Sequence, residues 1–125
     1  MTGYVGNIEQ KTQENENFRE VLFTAPHSQL VVMALQPGEE IGMEVHPNND
    51  QFLRIESGTG KAILNGEESV ISDGFAIVVP AGTNHNIVNT GQGKMKLYTV
   101  YSPANHPPGT IHKTKAEAVA DPAEH

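Results

Sequence analysis

The sequence predicts an all-β domain, a sandwich or a barrel. Short apolar or alternating runs follow one another along most of the chain. Turn dipeptides separate them: Pro37-Gly38, Ser57-Gly58, Asn65-Gly66, Asp73-Gly74 and Thr90-Gly91. These turns recur roughly every eight to ten residues, which leaves no room for βαβ units. Glycine (12) and proline (8) together are above the average for globular chains, as a turn-rich domain requires.

The elements justify themselves in order. Residues 7–17 are polar with no sustained period and read as a surface arm, so 1–17 precede the barrel. Strands are expected at 18–23 (Phe-Arg-Glu-Val-Leu-Phe) and 29–35 (Gln-Leu-Val-Val-Met-Ala-Leu), then at 41–46, 51–56, 60–65, 68–71, 76–79, 85–89 and 96–102. Asn65-Gly66 is the best hairpin signal, because both residues tolerate the positive φ of a type I′ turn. The one helical stretch runs from Lys113 to Ala120, where Thr114-Lys115-Ala116-Glu117 resembles a capping box. The tail 121–125 is expected to fray. The whole chain, 1–125, reads as one domain, with a barrel core over 18–102 and a C-terminal segment over 103–125.

Composition excludes several functions. Eight Lys+Arg against 15 Asp+Glu give a net charge of −7, which offers no general attraction to nucleic acid or an anionic membrane. The absence of cysteine removes disulfides, Cys-ligated zinc, iron–sulfur clusters and thiol catalysis. No apolar run approaches a membrane span, and Met1-Thr2-Gly3-Tyr4 lacks a signal-peptide pattern, so a cytoplasmic location is the expectation. There is no phosphate-binding glycine loop and no nucleophile elbow.

Two segments carry chemistry. In the first, Glu44 and His46 are two apart, so on a strand they share a face. Gln51 begins the next strand, with Leu53 and Ile55 as same-face partners that mark the face as inward. In the second, an apolar strand ends at Pro80, Gly82 permits a tight turn, and His85 opens the returning strand with Ile87 on its face. Read singly, His46 and His85 are more often core imidazoles bonded to the backbone, and Glu44 more often a surface carboxylate on a strand. Facing inward, Glu44 is costly unless paired or protonated.

Together these residues resemble the cupin superfamily. Its first motif, G-x5-H-x-H-x3,4-E-x6-G, is met by Gly38, His46 and Gly58, with Glu44 and Gln51 in the first His and the Glu positions. Its second, G-x5-P-x-G-x2-H-x3-N, is met by Gly74, Pro80, Gly82, His85 and Asn89. The 15 residues between them, 59–73, match the short spacer of small microbial cupins, some loosely labelled mannose-6-phosphate isomerase-like. The resemblance implies a jelly-roll β-barrel (a double-stranded β-helix), a homodimer, and one divalent metal (Fe, Zn, Mn, Ni or Co) on Glu44, His46, Gln51 and His85. Two imidazoles and one carboxylate suit such an ion, with Gln51 Oε1 as a weak fourth donor. Alternatively Gln51 only orients its neighbours, and Glu44, if not a ligand, is the catalytic general base.

Three functions follow. One is a metalloenzyme acting on a small carbonyl, enol or sugar-like molecule as an oxygenase or isomerase. A second is a non-catalytic metal- or small-molecule-binding module, favoured by Gln at the carboxylate position. A third, a purely structural barrel, conflicts with the inward polar residues. Several further residues have expected places. Asn89 fixes the turn after the second motif. Asp50 and Arg54 form a surface or dimer-interface pair. Only one of Tyr98 and Tyr101 faces the cavity, and Met33 and Met43 fill core or pocket. The segment His106-Pro-Pro-Gly-Thr-Ile-His112 crosses the surface exposed, or alternatively forms a lid or a second weak ligand pair.

Overall fold

The computed structural model describes residues 2–122, so the part of the tail beyond Pro122 lies outside it. Nine strands and two short helices are present among the described residues: α1 (Ile8–Glu14), β1 (Arg19–Thr24), β2 (Gln29–Leu35), β3 (Asp50–Ser57), β4 (Thr59–Leu64), β5 (Glu67–Ser72), β6 (Ala76–Val79), β7 (His85–Asn89), β8 (Met95–Ser102), β9 (Ile111–His112) and α2 (Lys115–Ala120). They form a six-stranded sheet, β6-β3-β8-β2-β1-β9, facing a three-stranded sheet, β5-β4-β7. All pairings are antiparallel. This is the all-β architecture that the turn spacing predicts, in the jelly-roll form that the resemblance implies.

The inner faces supply the core. On β3, Gln51, Leu53 and Ile55 are buried while Phe52, Arg54 and Glu56 are half-exposed, the period of two that a one-sided strand shows. Val31, Met33 and Leu35 of β2 and Leu97 of β8 meet them from the same sheet, and Ile71 and Ile87 from the other. Burial of each such side chain contributes about 1.5–3 kcal/mol. The β4–β5 hairpin turns at Asn65 (φ 49°) and Gly66 (φ 83°), the left-handed pair expected there. Asn89, fully buried, binds the turn after β7. Its Nδ2 lies 3.0, 3.1 and 2.9 Å from the carbonyls of Leu35, Gln36 and Gly93, and its Oδ1 accepts from Gly91 N at 3.0 Å.

Several expectations are corrected. The arm contains a helix, α1, capped by Asn7 Oδ1 on Gln10 N at 3.1 Å and anchored by buried Thr12. Lys96 of β8 donates to the Asn15 carbonyl just beyond it. Residues 41–46 do not form a strand. Gly42 lies at φ +113°, a left-handed kink that leaves only isolated bridges, Glu40 to Val88 and Glu44 to His85. Asp50 and Arg54 are not paired with each other. Asp50 accepts from Ala81 N at 2.8 Å, and Arg54 lies 3.4 Å from Glu56.

The C-terminal segment holds the largest correction. It is not an exposed tail. His112 in β9 pairs with Arg19 of β1, and both His106 and His112 are buried. Helix α2 begins as expected, with Thr114 Oγ1 accepting from Glu117 N at 3.2 Å. Asp121, placed by the sequence in the frayed tail, is bound by His112 at 2.8 Å. No helix among the described residues is long and apolar enough to cross a membrane.

Candidate metal centre and cavity

Backbone pairing brings the two chemical segments together. Glu44 N donates to the His85 carbonyl and His85 N donates to the Glu44 carbonyl, each at 2.9 Å. Residues that exchange both bonds lie directly opposite, so their side chains project from one side as neighbours. Gly82 N donates to the His46 carbonyl at 2.9 Å, which ties the second turn to the first. Gly82 sits at φ +84°, and this left-handed turn sends the chain back into β7 with His85 at its start. Buried Asn86 holds the kink at Gly42: its Oδ1 accepts from Gly42 N at 2.9 Å and its Nδ2 donates to Glu40 at 3.2 Å. Sequence reasoning missed Asn86, since an Asn beside a motif His carries no signal of its own.

The result is a cluster in which the candidate ligand atoms of Glu44, His46 and His85 all lie within 4.8 Å of one another. Nδ1 of His85 lies 2.9 Å from the Thr83 carbonyl. A carbonyl only accepts, so Nδ1 carries the proton and Nε2 is left with its lone pair available. His46 Nε2 lies 2.9 Å from Glu44 Oε2, yet the buried nitrogen has no aligned hydrogen bond. The two groups are in contact without an aligned hydrogen bond. Burial acts to raise the Glu44 pKa, but contact with His46 and the charge of Arg19 outweigh it and hold the carboxyl below its ordinary value. Glu44 is thus an ionised, ligand-competent carboxylate.

Gln51, on β3, is buried beside this cluster through Tyr101, its cross-strand partner on β8. The Tyr101 ring meets His46 edge-on at 5.7 Å. Gln51 Nε2 donates to Thr99 Oγ1 at 3.0 Å, and its Oε1 is buried with no partner. Turning the amide over leaves the nitrogen orphaned instead, so one polar end lacks a partner either way. Such an atom costs about 1–3 kcal/mol unless something else meets it. These orphaned and lone-pair donors fit a divalent cation.

The cluster opens on a cavity of about 470 Å³, whose wall includes Glu44, His46, Arg19, His106 and Lys115. Tyr101 faces inward and is buried, while Tyr98 is half-exposed, so one of the two faces the interior as expected. Met33 is core; Met43 lines the cavity. His106, brought by the C-terminal segment, stacks edge-on against Tyr101 at 5.1 Å, with Nε2 3.3 Å from the phenol oxygen. Burial, with the charge of Arg19, pushes its pKa down to about 3, so it is neutral at ordinary pH.

The fold and cluster define a small antiparallel β-barrel with a Glu-His-His set beside a half-open cavity, whose wall Glu44 and His46 share. The chain belongs to the cupin family: the cupin-domain profile matches residues 31–101, more than half of it. It is 52% identical over 124 residues to the uncharacterised protein YrkC of Bacillus subtilis, covering 94% of this chain and 66% of that one. An uncharacterised protein of Acanthamoeba polyphaga mimivirus is 48% identical over 112 residues, 86% of this chain and 70% of that protein. The chain therefore spans about two thirds of the length of these curated relatives. The crystal structure of BH2720 from Bacillus halodurans superposes with a TM-score of 0.93 at 45% identity, covering 94% of each chain.

Proposed function

We propose that this cupin binds one divalent transition metal through Glu44, His46 and His85, with Gln51 Oε1 as a fourth donor, and acts on a small carbonyl, enol or sugar-like molecule. The observation that carries the reading is the convergence of one ligand atom each from Glu44, His46 and His85 within 4.8 Å, with the His85 ring oriented by the Thr83 carbonyl at 2.9 Å from Nδ1. A metal held there supplies Lewis acidity toward a carbonyl or enol oxygen. The remaining work falls to the chain. The Thr83 carbonyl orients His85, and the Glu44–His85 backbone pair fixes the carboxylate opposite it. The cavity of about 470 Å³ admits a small molecule in front of Glu44 and His46.

The reading includes a homodimer. Phe52 and Tyr98 lie 6.3 Å apart on the outer face of the six-stranded sheet, beside exposed Val78, and offer it an apolar patch. Light scattering checks this directly.

The function is tested by loading the metal-free protein with Co²⁺ and recording its visible spectrum, then screening the loaded protein for O₂ consumption and for conversion of small keto acids and sugars. Bands that appear in wild type and vanish in His85→Ala support the centre, and turnover that requires the metal supports the enzyme. Identical spectra for wild type and His85→Ala would defeat the ligand assignment. A second reading, a binding module without turnover, draws on Gln51 in place of a carboxylate. It predicts tight loading with no conversion of any substrate.

A further inference from the structure

Arg19 lines the cavity as a buried charged residue that is not itself a metal ligand and that the core does not explain. It is only 5% exposed. Its Nε is buried with no hydrogen-bond partner, and no carboxylate of the described residues pairs with it. Its hydrogen bond to the protein runs from Nη1 to His112 Nδ1, at 3.3 Å. A guanidinium only donates, so His112 Nδ1 accepts and the ring proton sits on Nε2. That Nε2 donates to Asp121 Oδ2 at 2.8 Å. The β1–β9 register sets this up, because Arg19 and His112 are direct cross-strand partners. The Phe18 ring, 5.2 Å from the guanidinium carbon, steadies the group further.

Asp121, His112 and Arg19 thus form a relay that holds the guanidinium in the cavity wall, with its Nε buried and unpartnered. Lys115 of α2 lines the same cavity. In a chain of net charge −7, this wall carries the cations Arg19 and Lys115 against one carboxylate, Glu44. Ile41, Met43, Val45 and Ala118 complete it with apolar surface. A buried guanidinium whose Nε has no partner and that forms no ion pair with a carboxylate of the described residues is costly, and an anion that enters the cavity lowers the cost.

We infer that Arg19, positioned by His112 and Asp121, is the anion-recognition residue of this cavity, and that its ligand is a small organic carboxylate with an apolar portion. The inference names the substrate class of the site proposed above and rests on that reading for its functional meaning. The binding step itself needs only Arg19. The planar guanidinium edge matches a carboxylate, the apolar wall takes the carbon skeleton, and the size of the cavity restricts the ligand to a small molecule.

The test is calorimetric titration with α-ketoisovalerate, benzoate, their neutral methyl esters and inorganic phosphate. It is run on wild type and Arg19→Gln, each metal-free and zinc-loaded. Wild type is expected to bind at least one carboxylate, roughly tenfold or more tighter than its ester, in both metal states. Arg19→Gln is expected to lose that preference while zinc stoichiometry stays unchanged. Carboxylate binding equal in wild type and Arg19→Gln, or no carboxylate bound by wild type, overturns the inference. Binding of phosphate in preference to both carboxylates overturns the ligand class. Failure of wild type to load zinc defeats the metal reading instead, and leaves the metal-free titrations to judge Arg19. Should Arg19→Gln not fold, Arg19→Lys keeps the charge and loses the fork, and is expected to bind the carboxylate several-fold more weakly. Undiminished affinity and preference in Arg19→Lys would also overturn the inference.

Discussion

Replacing Gln51 by Leu separates a metal ligand from a structural amide. The side chain makes one hydrogen bond, to Thr99 Oγ1, and buries an Oε1 that nothing in the chain meets. Losing the bond costs about 1 kcal/mol, and removing the orphaned oxygen returns about 1–3 kcal/mol. The metal-free Gln51→Leu protein is therefore expected to match wild type within about 1 kcal/mol or exceed it in urea unfolding. Zinc affinity, read by competition with a chromophoric chelator, is expected to fall at least about tenfold. Gln51→Glu should behave in the opposite way. It adds a carboxylate beside ionised Glu44, so the metal-free protein loses stability while zinc binds more tightly. Both effects come from the same atom. A metal-free Gln51→Leu protein destabilised by more than about 2 kcal/mol, with zinc affinity unchanged, would refute the reasoning and make Gln51 a packing residue.

Other consequences follow from named contacts. Asn89→Ala leaves three carbonyls and one amide without their side-chain partner; a loss of about 2–4 kcal/mol is expected in urea, and a loss below 1 would show that water replaces them. Gly42→Ala meets no atom within 4 Å but is held at φ +113°, so it should cost about 1–3 kcal/mol through the backbone alone and weaken zinc binding by displacing Glu44. His106 gives a pH signature in metal-free protein. Its pKa is 6.5 when unfolded and about 3 when folded, so its neutral form supports folding above pH 6.5 and stability is lost as the pH falls toward 3. By about pH 5 the loss is about 2 kcal/mol relative to His106→Gln. A stability gap between the two proteins that does not change with pH would contradict the burial argument.

The site was legible in part because its register is local. Gly38, Glu44, His46 and Gln51, then Gly82 and His85, keep their spacing within two short segments. The facing pair Glu44–His85 needs only that those segments lie side by side. The strand expected at 41–46 failed because Gly42 takes a conformation that alternation does not reveal, although Glu44 and His46 still reach one cluster. Helix α1 was hidden by being short and polar, with one buried residue, Thr12, to mark its inner side. The cationic wall was illegible for a different reason. Arg19 and His112 are 93 residues apart and meet only because the C-terminal segment folds back as β9. Nothing local in Phe18-Arg19-Glu20, an ordinary strand opening, indicates that its Arg turns inward.

The central claim is that Glu44, His46 and His85 form a metal centre, and elemental analysis by plasma mass spectrometry tests it most directly. Untagged wild type, reconstituted with Zn²⁺ and desalted, is measured beside His46→Ala and Glu44→Gln at neutral pH and again near pH 5. The account predicts about one equivalent in wild type, little in either variant, and release at the lower pH, since protons compete with a metal for its ligands. Stoichiometric metal retained by both variants, or none held by wild type after reconstitution, would contradict it.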